Sequence, residues 1–257
     1  MNDPHVKRLY YKMVIDESVD YNKAPGITDE TDQFRVTVVA EGVTFEMKEH
    51  LASEMEARTV AEDYLKRWAI LIGLERRPDE LQFQFERAEV IDRNPVPNDG
   101  KTVMGKLSIN IETNFSLSAH VSRGKFPSLP SRFKASPDVE TMYLRYNAYL
   151  QKRDILTEMA YMCLRVLEAS SRGRKNASPL YHIDMDVLSK LGELSSKKGD
   201  RMEARKPPKN GVYIPLSSNE RSWLEEAVKA MIRRVGERDY YPSAPLKRIT
   251  MADLPKI

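Results

Sequence analysis

The sequence predicts an α+β fold: an antiparallel sheet with one packed helix, followed by a helical bundle. Three observations carry this expectation. Apolar and polar residues alternate with a period of two through 34–47, 81–90 and 103–121, as strands with one buried face do. Apolar residues recur every three or four positions through 57–72, 139–167 and 223–235, as amphipathic helices require. Between the last strand pattern and the helical series, Gly124, Pro127, Pro130 and Pro137 stand among several serines, a composition that reads as a connection. The expected organisation is a β-rich α+β domain over 1–125, a linker over 126–137, and a helical domain over 138–257 with an extended tail.

The elements follow in order. Leu9 to Ile15 is a strand candidate, and Asn22 to Asp32 reads as a polar loop. Phe34, Val36 and Val38, then Val43, Phe45 and Met47, form the two arms of a hairpin around Glu41-Gly42, where glycine supplies the positive φ of a tight turn. Ser53 and Glu56 make an S-x-x-E capping box. It opens a helix whose face is Ala57, Ala61, Tyr64, Leu65, Trp68 and Ile72, with Gly73 as its stop. Leu81, Phe83 and Phe85 resume the strand period. Ala88 and Val90 continue it on the other parity, so a β-bulge is expected near Arg87. Val103 to Val121 alternates over too many residues for one strand, so a turn near Glu112 to Asn114 is expected.

In the C-terminal half the apolar series from Val139 to Leu167 is interrupted at Lys152-Arg153-Asp154. A bend there, or a snorkelling Arg153, accounts for the break. The loop Arg172-Gly173-Arg174-Lys175 precedes a shorter helix that Asp184 can cap, with Val187, Leu188, Leu191 and Leu194 on its apolar side. A second basic loop runs from Lys197 to Lys209. Ser217 and Glu220 repeat the capping box and start the last helix, and Arg233 and Arg234 suit the negative end of its dipole. Pro242, Pro245 and Pro255 mark the tail from Tyr240 onward as extended.

With 257 residues, 41% hydrophobic and 31% charged, the chain can bury a sizeable core and does not read as disordered. It has no apolar run near the roughly 18 residues of a membrane span. Its first ten residues lack the apolar segment of a secretory signal. The single cysteine, Cys163, cannot form an intramolecular disulfide, so a soluble cytoplasmic protein is expected. Residues 1–135 carry 19 Lys and Arg against 22 Asp and Glu, and residues 136–257 carry 22 against 16, so the overall +3 conceals an acidic half and a basic half. That asymmetry suits RNA or another acidic partner for the helical half.

The chemical motifs thin out on inspection. Gly100-Lys101-Thr102 resembles the end of a P-loop, but Pro95 stands where the motif needs glycine. His5, His50, His120 and His182 do not pair at metal-ligand spacing, and no metal or cofactor is expected. Cys163 falls on an apolar helix face, where a thiol is inert. Asp184 and Asp186 read as helix-start residues. The remaining signal is basic. Arg172, Arg174 and Lys175 precede the short helix, and Lys197, Lys198, Arg201, Arg205, Lys206 and Lys209 follow it. Arg172, Arg174, Lys175, Arg201, Arg205 and Lys206 are the candidate nucleic-acid contacts, since clustered cations release counterions from phosphates. Only Tyr181 and Tyr213 lie nearby to stack on bases.

The helix order from Asp138 to Arg238 resembles HEPN-type helical bundles. It has a long first helix, a shorter helix after a polar loop, and a last helix reading Ser217-Ser218-Asn219-Glu220-Arg221-Ser222-Trp223-Leu224. Catalytic members carry Arg and His four to six residues apart. Here the nearest pair is Arg174 and His182, with Ser178-Pro179 between them. The resemblance therefore implies a member that binds RNA or forms a homodimer. The leading expectation is a non-enzymatic binding or regulatory protein whose sheet domain contacts a partner. The alternative is a nucleic-acid effector, or a divergent ribonuclease of a defence or toxin-like system built on Arg174 and His182.

Overall fold

The structure is a computed structural model that describes residues 3–94, 121–207 and 211–257. The chain divides into two compact units, Met1–Leu129 and Pro130–Ile257.

The N-terminal unit contains β1 (Pro4–Ile15), β2 (Val19–Asp20), β3 (Ile27–Glu30), β4 (Phe34–Val39), β5 (Gly42–Met47), α1 (Glu54–Glu75), β6 (Leu81–Asp92) and β7 (Val121–Ser122). Five strands form an antiparallel sheet in the order β3-β4-β5-β1-β6, and β2 pairs with β7 in parallel. The expected strands over 103–120 lie outside the described residues, as do the Gly100-Lys101-Thr102 motif and His120. The capping box at Ser53 and Glu56 is present. It sets α1 so that Tyr64 meets Phe34 and Phe45 edge to face and Trp68 stacks on Phe83 with centroids 4.9 Å apart. Leu9, Val36, Phe45, Ala61 and Trp68 are fully buried between helix and sheet.

Several expectations shift. β1 starts at Pro4 because His5 and Val6 are buried too; a register shift at Lys7 breaks the period there. The polar loop after Asn22 contains β3, a short edge strand paired with β4. Its Asp29 and Glu30 hide it from a hydrophobic pattern, and polar residues suit a sheet edge. The hairpin turn is Ala40-Glu41, and Gly42 opens β5. Gly42 is required by crowding, since a Cβ there would lie 2.6 Å from the Tyr11 carbonyl oxygen. Helix α1 passes through Gly73 and ends at Glu75, with Arg76 as its C-cap. Glycine costs about 1 kcal/mol inside a helix, which burial of the following Leu74 outweighs. The bulge expected near Arg87 is at Glu86, which is skipped between the Tyr10–Arg87 and Tyr11–Phe85 pairs.

The segment read as a linker is anchored on both sides of the unit boundary. Phe126 stacks on Tyr21 at 5.0 Å. Phe133 is buried in the second unit, so close to Gly236 that a Cβ there would fall 2.1 Å from its ring.

The C-terminal unit comprises α2 (Pro137–Leu150), α3 (Leu156–Ser171), α4 (Arg174–Tyr181), α5 (Met185–Lys197), α6 (Ser218–Tyr240) and a 3-10 turn at Met251–Asp253. Helix α3 is central and packs against the other four helices. Met159, Ala160, Cys163 and Leu164 on α3 meet a core that includes Met142, Tyr146, Leu188, Trp223 and Val228. The interruption at Lys152-Arg153-Asp154 separates α2 from α3, with Lys152 at φ 57°. Arg153 is exposed. The stretch expected as a basic loop is shorter, because Arg174 and Lys175 already belong to α4, which tolerates Pro179 near its end. Asp184 holds the N-cap position of α5 without making a cap hydrogen bond; its carboxylate instead accepts from Arg248 Nη1 at 3.0 Å. Helix α6 carries the expected Ser217–Glu220 capping box. Arg234 is not a dipole-facing surface cation: it is buried, and Nη1 donates to the Tyr181 and His182 carbonyls at the end of α4. The tail is tied down where Ile249 bridges to Ile183. No described helix is long and apolar enough to cross a membrane.

Candidate functional site

The end of α5 builds a basic groove. The helix stops at Lys197, and Gly199, at φ +129°, turns the chain back. A side chain there would strike the Ala204 backbone at 2.6 Å, so only glycine fits. The Asp200 carboxylate accepts from the Met202 and Glu203 amides and closes the turn. Gly199 N–H then donates to the Ile214 carbonyl at 2.8 Å, bringing 212–214 alongside. The resulting groove of about 420 Å³ is lined by Lys197, Lys198, Lys206 and Tyr213 among smaller residues, and among the described residues no carboxylate lines it. Lys198 is committed to Glu220 at 2.6 Å, a contact that holds the Glu220 carboxyl below its usual range. Lys197 and Lys206 make no ion pair among the described residues.

The six expected contacts separate into two sets. Arg174 is held by Glu168, through Nε at 2.9 Å and Nη2 at 2.8 Å. Its guanidinium lies over Gly192, where a Cβ would be 2.7 Å away. Gly192 and the groove residue Ser196 are one turn apart on the same face of α5, so the structure brings the first basic segment to within a helical turn of the second. Arg205 stacks over the Tyr161 ring at 3.7 Å, and its Nε is buried without a hydrogen bond among the described residues. Both arginines are therefore packing elements first. Arg172, Lys175, Arg201 and Lys206 are exposed and carry no ion pair among the described residues. Lys209 lies outside them. Tyr161 was not legible as a partner because nothing in its helical pattern distinguishes it from any half-buried tyrosine.

Other groups give little chemistry. Arg174 and His182 stand at opposite ends of α4, about 12 Å apart along the axis at the helical rise. The His182 backbone, at φ 49°, is fixed by Arg234 and Ile249. Cys163 is fully buried and burial pushes its thiol up to about 12. His5 and His50, remote in sequence, stack at 5.5 Å, and His50 Nε2 lies 2.9 Å from Asp3. Burial, with Arg93 and His50 nearby, lowers the His5 pKa. Among the described residues no three His, Cys, Asp or Glu side chains gather to hold a metal ion. In the N-terminal unit a groove of about 670 Å³ runs between α1 and β6. Its one arginine, Arg58, is paired with Glu54 and Glu62 and covers the Phe85 ring.

Comparison of the chain with family models, with curated proteins and with solved structures finds no match.

Proposed function

We propose that the protein is a binding protein whose helical unit grips the phosphate backbone of RNA at the α5 groove. The observation that carries this reading is a concave surface lined by three lysines and, among the described residues, no carboxylate. Lys197 and Lys206 are available in it, and Arg201 stands exposed on the adjoining turn. Unpaired cations on a concave face neutralise phosphates and release counterions, which gives affinity without sequence preference. Tyr213 offers one stacking surface, too little for base readout. The reading agrees with what the HEPN-type resemblance implies for a member lacking the Arg–His motif. The separation of Arg174 from His182 gives no support to a ribonuclease built on that pair.

Fluorescence anisotropy with labelled single-stranded RNA tests the proposal. Three available cations predict a slope of about −2 in log K against log salt, so affinity falls roughly twentyfold between 50 and 200 mM. Lys197→Ala with Lys206→Ala should remove more than half of that slope. Binding that ignores salt, or that the double variant retains in full, overturns the proposal.

A further inference from the structure

A second pocket in the C-terminal unit has a different chemistry. It lies where the end of α6 meets the tail, holds about 520 Å³, and is lined by Arg132, Arg234, Glu237, Tyr240, Tyr241 and Lys247, with Ala244, Pro245 and Leu246 as an apolar wall. That volume suits a small ligand. Three cations face one carboxylate, and the carboxylate is occupied: Glu237 accepts from Arg234 Nε at 3.0 Å. Lys247 is tethered to Asp253 at 2.7 Å but is highly exposed. Arg132 is exposed and has no ion pair among the described residues. Arg234 is the built part. It is only 7% exposed. Two carbonyls hold Nη1 and Glu237 holds Nε, while Nη2 makes no hydrogen bond among the described residues. A buried guanidinium fixed through Nε and Nη1 keeps its Nη2 donors for an incoming anion. Beside it, Tyr240 and Tyr241 are 47% and 57% exposed, which leaves ring surface free for a ligand. The carbonyl end of α6 adds partial negative charge, which Arg132 and Arg234 oppose.

We propose that this pocket binds a phosphorylated nucleoside, with the phosphate between Arg132 and Arg234 and the base against Tyr240 or Tyr241. Arginine supplies paired donors to phosphate oxygens, and an aromatic ring stacks on any base. The same chemistry is offered by a free mononucleotide and by the 5′-phosphorylated end of a strand. The site is independent of the α5 groove and shares no lining residue with it.

Isothermal titration calorimetry of the full chain with AMP, GMP, CMP, UMP and adenosine tests it. Nucleotides should bind with a Kd below about 1 mM, and adenosine should bind at least about tenfold more weakly, the value of one lost charge-assisted contact. Arg132→Ala should weaken AMP about tenfold at an unchanged melting temperature, because its side chain is exposed and makes no ion pair among the described residues. Tyr240→Ala with Tyr241→Ala should also weaken AMP. Lys197→Ala with Lys206→Ala should leave AMP binding as in wild type, so failure here and failure of the groove proposal are separately visible. Competition with 5′-phosphorylated and 5′-hydroxyl RNA hexamers assigns the source. Displacement by the phosphorylated hexamer alone indicates a strand end, and displacement by neither indicates a free nucleotide. No nucleotide binding, adenosine binding as tightly as AMP, or an Arg132→Ala protein that binds like wild type would overturn the proposal.

Discussion

Arg123→Ala should loosen the N-terminal unit. Glu80 is wholly buried and accepts from Arg123 Nη2 at 2.7 Å, Arg123 Nε at 3.1 Å and Tyr21 Oη at 2.6 Å. Deleting the arginine leaves a buried carboxylate with one side-chain hydrogen bond, from Tyr21, among the described residues. Breaking a buried pair costs about 3–5 kcal/mol. The Arg123 side chain is 27% exposed, so water reaches part of the gap and about 2–4 kcal/mol is expected. Burial pushes the Glu80 carboxyl up, and the hydrogen bonds from Arg123 and Tyr21 outweigh it, leaving it below its usual value. In wild type that stabilisation is complete above the unfolded pKa of about 4.3 and fades as pH falls through the lower native value. In the variant, burial acts with less opposition, the native pKa rises, and protonation relieves the defect. The gap between the two proteins should therefore narrow from pH 7 toward pH 4. Hydrogen exchange of β1 and β6 peptides, corrected for intrinsic rates, measures it. At pH 7 those amides should exchange roughly 30- to 800-fold faster in the variant, and adding Glu80→Gln should recover part of the loss. Exchange within about threefold of wild type, or a gap that widens on acidification, would refute the reasoning.

Three further outcomes are expected. Arg174→Ala and Arg205→Ala should leave the salt slope of RNA binding unchanged. Each should instead lower the stability of the helical unit by about 1 kcal/mol, read by urea unfolding. Gly236→Ala should destabilise that unit by about 1–3 kcal/mol despite alanine's better helix propensity, because the new methyl lands on the buried Phe133 ring; a rise in melting temperature would count against it. Cys163, its thiol pushed up to about 12 by burial, should resist a disulfide reagent at pH 8 until the protein is unfolded.

Local rules sufficed wherever one element decides its own form. The Ser53–Glu56 and Ser217–Glu220 boxes start their helices where the residues stand, because a cap involves only neighbours in sequence. The Phe34–Met47 hairpin and the parity change in β6 were legible because burial of one sheet face writes itself as alternation. The basic character of 197–206 was legible from composition, and the inert setting of Cys163 from its place on an apolar helix face. Tertiary structure alone decided which cations remain available. Arg174 and Lys175 are neighbours, yet Glu168 holds the first and nothing described holds the second. It also decided that Arg234 is a buried strut joining α6 to the end of α4, and that Tyr240 and Tyr241 share a pocket with Arg132, over a hundred residues earlier in the chain. Periodicity reports whether a side chain faces a core. It does not report which distant carboxylate, carbonyl or ring that side chain will meet there, and those meetings set whether a charge stabilises the fold or stays free for a ligand.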